Sequence, residues 1–181
     1  MMGVDVERLL GQARDLAEAS ENLRQKQLTA AHCRQEAILS LHAVGLSIRD
    51  IASRLDCSPA VIHAAIKAAR ARRPHMPRRE DRIPFELHVQ LGLKLRDDGV
   101  SVRQIARAGI ARMRQRPRNP IAVEWIDSWE ALLGLPVGQI EAAMLADNPF
   151  AAEMRQMSPF AGALTDQERI IAIRKAATNA P

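Results

Sequence analysis

The chain has 181 residues, 47% apolar and 26% charged, enough for one or two small domains and too apolar for a disordered segment. Three Phe, two Trp and no Tyr leave few aromatic platforms, which argues against a protein that binds single strands by stacking their bases. The net charge of +5 is concentrated: residues 1–66 carry 7 basic and 8 acidic side chains, 67–118 carry 15 and 5, and 119–181 carry 4 and 8, so a strongly positive middle lies between mildly acidic ends.

In chain order, residues 4–27 read as a helix with Leu9, Ala13, Leu16, Ser20 and Leu23 at 4-3-4-3 spacing, a narrow seam with small residues at alternate positions. Its expected use is packing on the rest of the fold, with homodimerisation as the alternative. A second helix over about 30–44 should end at Gly45 as a left-handed cap. Ser47 and Asp50 form a capping-box-like start to a short helix, residues 56–58 make a turn, and Ser58 with Pro59 opens a third helix to about Arg73. Pro74, Pro77 and Pro84 then suggest an extended basic connector over 74–84. Helices are expected near 85–97 and 101–108, followed after Gly109 by an arginine-rich arm broken by prolines. Further helices should start at Pro120, near 137, after Asn148 and after Thr165, the last with Glu168 in a capping box. No segment alternates with period two, so the chain reads as all-α.

One stretch occurs twice, 54 residues apart: LSLHAVGLSIRDIA over 39–52 and LKLRDDGVSVRQIA over 93–106. Seven positions are identical, among them Gly45/Gly99, Ser47/Ser101, Arg49/Arg103 and Ala52/Ala106. Such self-similarity marks one supersecondary unit used twice. After the first copy comes a capped helix. After the second comes no comparable cap and proline.

The string DIASRLDCSPAVIHAAI over 50–66 resembles the bacterial helix-turn-helix family, in the variant found in sigma-factor-like and resolvase-like domains. The resemblance covers residues 34–70. In that family the turn usually holds Gly where this chain has Asp56, a residue that reaches the left-handed region at some cost. The resemblance implies a tri-helical bundle with Ile51, Leu55, Ile62 and Ile66 in the wedge between helices, joined by Ile38 and Leu41. It also implies that double-stranded DNA is the partner, with the 58–70 helix in the major groove. Ala60, His63, Ala64 and Lys67 would then face base edges and Ser58 would lie at the DNA-binding end of the helix, while Arg49, Lys67, Arg70, Arg72 and Arg73 are better suited to holding phosphates. Arg103 and Arg107, on the short helix near 101–108, and Arg112, Arg114 and Arg116, in the arm after it, would hold the phosphate backbone.

The expected organisation is therefore an N-terminal helix (1–28), a helix-turn-helix domain (29–73), a basic linker (74–84), a degenerate helix-turn-helix-like repeat with its arm (85–118) and a small acidic helical module (119–181). The string RQMSPFAGALTDQER over 155–169 resembles the tails of antitoxin-like regulators, which implies a toxin-like partner for residues 119–177. Cys33 and Cys57 give neither a disulfide framework nor metal-ligand spacing. There is no Gly-rich phosphate loop, nucleophile elbow or ligand cluster, so neither an enzyme nor a cofactor is expected. No apolar run approaches the roughly 18 residues of a membrane span, and the N-terminus lacks a signal peptide's basic and apolar regions, so we expect a cytoplasmic protein. The sequence thus points to a transcriptional regulator, with an antitoxin-type autorepressor as a special case. A protein-interaction adaptor, in which the helical units only pack and the C-terminal third binds a partner, is the alternative.

Overall fold

The computed structural model describes residues 5–115 and 120–178 and is all-α, as expected. Its first helix, α1 (Val6–Ala43), is continuous over 38 residues, so the expected break near 28–29 does not occur. The reason is local: QKQLTA over 25–30 contains neither Gly nor Pro, and most of its residues are good helix formers. At its far end Gly45 takes φ +111°, and Leu46 N–H returns to the Leu41 carbonyl at 3.2 Å, which closes the helix.

Ser47 then starts α2 (Ile48–Arg54) through a reciprocal capping box. Asp50 N–H donates to Ser47 Oγ at 3.1 Å, and Ser47 N–H donates to Asp50 Oδ2 at 3.3 Å. Asp56 makes the turn at φ +48°, the one non-glycine residue with positive φ among those described. Ser58 Oγ accepts from Val61 N–H at 3.4 Å, and Pro59 opens α3 (Pro59–Ala71). Ile38, Leu39, Ile51, Ala52, Ile62, Ala65, Ile66 and Ala69 form the core of this three-helix unit. Leu55 does not join it as expected: it lies at the C-cap of α2, where the chain turns away, and is 43% exposed. Leu41 is half-buried at the edge.

The expected linker is shorter than its prolines suggest, because α4 (Arg79–Asp97) begins before Pro84. Pro84 is the sixth residue of this helix and donates no ladder bond, yet the helix continues through it to Asp97. Buried Arg82 secures the start by donating to the carbonyls of Met76, Pro77 and Ala176 at 2.9, 2.6 and 3.0 Å. Next, α5 (Gly99–Gln115) runs through Gly109 where an arm was expected. It does so because positions 110–113 (Ile, Ala, Arg, Met) offer no capping residue or proline. Gly109 is required there, since a Cβ at this position would lie 2.1 Å from the Pro159 carbonyl oxygen.

The remaining helices are α6 (Pro120–Leu133), α7 (Val137–Met144), α8 (Pro149–Gln156) and α9 (Asp166–Thr178). Asn148 caps α8, and Thr165 with Glu168 caps the start of α9, both as expected. A second core gathers Leu91, Leu95, Val102, Ala106, Ile110, Ile126, Trp129, Leu133, Ile140, Met144, Met154, Phe160 and Ala163. Trp129 is fully buried, its indole N–H on the Met154 carbonyl at 3.1 Å, and His88 stacks beside it. Trp125 is half-buried against Phe150.

The last helix, α9, returns to pack on both α4 and α1. At this junction lies a buried four-charge cluster. Arg73 reaches Glu36 of α1 at 2.8 Å and Glu86 of α4 at 2.7 Å, and Lys175 of α9 reaches the same two carboxylates at 2.9 and 3.6 Å. Two acids and two bases balance, which is the condition for holding charges away from water. Burial alone would raise the Glu36 pKa, but the hydrogen bond from Arg73 and the charge of Lys175 outweigh it and hold the carboxyl at about 2.

Candidate nucleic-acid interface

Helix α3 has two faces of different character. Ile62, Ala65, Ile66 and Ala69 turn inward, which leaves Ala60, His63, Ala64, Lys67 and Arg70 exposed on the opposite side. Ser58 is exposed at the N-terminal end, and Arg49 is exposed on α2. No acidic side chain lies on α3 itself; the nearest acids in sequence, Asp50 and Asp56, belong to α2 and the turn. The helix is therefore a rigid element, capped at its start and anchored by its apolar face, that presents small and basic side chains to solvent.

The structure divides the remaining expected phosphate contacts. Arg73 is not on the surface: its side chain is 7% exposed and paired with Glu36 and Glu86, and those two carboxylates hold its pKa above the ordinary arginine value although burial opposes this. Arg72 is directed along α1, donating to Gln35 Oε1 at 2.5 Å and Glu36 Oε1 at 3.1 Å. Neither residue extends the α3 face, because both turn back over the end of the helix towards α1. Arg103 donates to the carbonyls of Leu133 and Leu135 at 3.2 and 3.0 Å, closing the C-terminal end of α6. Arg114 pairs with Asp127 at 2.6 Å and with Glu130, so the acidic α6 engages the basic α5. Arg107 and Arg112 are exposed, and Arg116 lies outside the described residues. The arginine-rich arm expected after Gly109 is thus helical as far as Gln115, and Arg103 and Arg114 are committed to α6.

Sequence reasoning missed Glu36, Glu86 and Lys175, whose partners lie up to 139 residues away. No local pattern marks them. Cys33 and Cys57 are free thiols, and no group of three or more His, Cys, Asp or Glu among the described residues could hold a metal ion. A cleft of about 350 Å³ between α1, α4 and α7 is lined by Glu36, Arg72, Arg73, Arg96 and Glu141, but these pair with one another. None of the helices among the described residues is long and apolar enough to cross a membrane. Compared with known proteins, the chain matches no family model, and no curated protein and no solved structure shows significant similarity to it.

Proposed function

We propose that the protein is a DNA-binding transcriptional regulator that inserts α3 into the major groove of a duplex. One observation carries the reading: α3 is held rigidly at both its cap and its apolar face, while its outer face combines small side chains with His63, Lys67 and Arg70 and carries no acid. A helix with small residues at its leading turns approaches base edges closely, and Ala60 and Ala64 suit contact with thymine methyl groups. Lys67 and Arg70, further along, and Arg49 on α2 suit flanking phosphates, which position a protein without specifying sequence. His63 supplies one hydrogen bond. Each protomer then reads few bases, and affinity rests largely on phosphate contacts.

The test is binding of the full chain to mixed-sequence duplexes at low salt, measured by fluorescence anisotropy. Affinity is expected to fall steeply as salt rises, because neutralised phosphates release counterions. Absence of binding to any duplex at low salt overturns the proposal.

A further inference from the structure

The first 23 residues of α1, 6–28, stand away from both cores. All are exposed except half-buried Gly11, and the buried positions of the helix begin only at Glu36. Leu9, Leu16 and Leu23 recur every seven residues at 46, 71 and 60% exposure, with Val6, Leu10 and Leu28 also in solvent. The expected packing of this seam on the rest of the fold does not occur. A lone helix of this length, interrupted by Gly11, Ser20 and Asn22, has little stability of its own in water.

We propose that this segment is the interface of an antiparallel homodimer, with the two-fold axis between residues 14 and 15. The seam's own sequence selects the occupant. Small Ala13 and Ser20 alternate with Leu9, Leu16 and Leu23. A parallel pair would set Ala13 against Ala13 and Ser20 against Ser20, leaving gaps. An antiparallel pair sets Ala13 against Leu16, Ser20 against Leu9 and Val6 against Leu23, so each layer has one large and one smaller side chain. The same register brings Leu10 beside Ala17 on one flank. On the other flank it brings Gln12 beside Ala19 and Asp5 beside Lys26, of opposite charge. Residues 5–28 carry five acids and four bases. That near-neutral balance suits a second copy better than a strongly charged surface.

The arrangement leaves a three-helix unit at each end, about 70 Å apart along the pair at 1.5 Å per residue. Parallel pairing would put both units at one end. In one respect the inference leans on the proposed function: the span is about two turns of B-form DNA, suited to half-sites two turns apart.

The test measures the mass of the full chain in solution by sedimentation, without DNA. Twice 20.0 kDa is expected at micromolar concentration. Leu16→Arg should raise the dissociation constant about a hundredfold by placing a charge in the apolar seam, with thermal unfolding of the cores unchanged. Glu18→Arg, on the outer side of the helix, should leave the dimer intact. A monomer at several hundred micromolar, or a dimer that Leu16→Arg does not weaken, overturns the interface. Direction is read by cross-linking in a Cys33→Ser/Cys57→Ser background with a short bismaleimide. Gln12→Cys mixed with Ala19→Cys should form hetero-dimers and Gln12→Cys mixed with Ala17→Cys should not; the reverse result overturns the antiparallel register. A monomer that still binds duplex would sink this inference alone, whereas a dimer indifferent to duplex would sink only the DNA-binding reading.

Discussion

The two copies of the repeated segment share seven residues and fold differently. In the first, Gly45 takes the left-handed conformation, Ser47 caps, and a seven-residue helix leads into the turn at Asp56. In the second, the break moves to Asp98, which occupies the place of Val44 and can do what Val44 cannot: its carboxylate accepts from Ser101 N–H at 3.1 Å. Helix α5 therefore starts at Gly99, Ser101 lies inside it, and Gln104 stands where Asp50 completes the capping box. The identical arginines diverge accordingly. Arg49 is in solvent, while Arg103 braces the end of α6. Even the buried face rotates: Leu39 is buried and Leu41 half-buried in the first copy, whereas Leu95 is buried and Leu93 half-buried in the second. A few capping residues thus decide whether one pattern becomes a short helix of the first core, before a candidate reader, or a long helix built into the second.

The largest effect is expected where the two units meet. Arg73→Ala leaves Glu36 and Glu86 short of a partner and should cost about 3–5 kcal/mol in chemical denaturation. Because the Glu36 pKa falls from 4.5 to about 2 on folding, its contribution is fully present above pH 4.5 and is lost as the pH falls towards 2. A wild-type stability flat over that window would contradict the cluster's role. Next comes Gly109, which lies three residues past the second copy as Leu55 lies three residues past the first. Gly109→Ala should cost about 3 kcal/mol by forcing a methyl group into the Pro159 carbonyl, while Leu55→Ala at the exposed turn should cost under about 1 kcal/mol. Equal losses would show that the copies are packed alike.

The arginine pair should separate the copies again. Arg103→Ala removes charged hydrogen bonds to two carbonyls and should cost about 2 kcal/mol, with Arg49→Ala within about 0.5 kcal/mol of wild type. The caps give the smallest effects. Ser47→Ala and Asp98→Ala should each cost about 1 kcal/mol, and Ser101→Ala less than half as much; a Ser101→Ala loss matching Ser47→Ala would mean that both copies cap at the serine.

What was legible in the sequence is what is decided within four residues. Gly45, the Ser47–Asp50 box, Ser58 with Pro59, Asn148, and Thr165 with Glu168 all mark helix ends that the structure shows. Legibility failed where a partner is distant or a stop signal is weak. Pro84 suggested a linker, but Arg82, bonded to the Ala176 carbonyl, supports a helix through it. The prolines after Arg116 suggested an arm, yet α5 continues to Gln115 with Arg114 paired to α6. Within the candidate interface, the outward turn of Ala60, His63, Ala64, Lys67 and Arg70 follows from helical period alone. The withdrawal of Arg73 depends on Glu36 and Glu86, which no local pattern connects to it.

The proposed division between a DNA-reading unit and a bracing copy is tested most directly by the salt dependence of duplex binding in paired variants. Lys67→Ala/Arg70→Ala should reduce the slope of log affinity against log salt by about 2, one unit for each lost phosphate contact. Arg107→Ala/Arg112→Ala on α5 should leave that slope unchanged. A slope that falls only with the α5 pair, or with neither, would contradict the assignment of α3 as the DNA-reading helix.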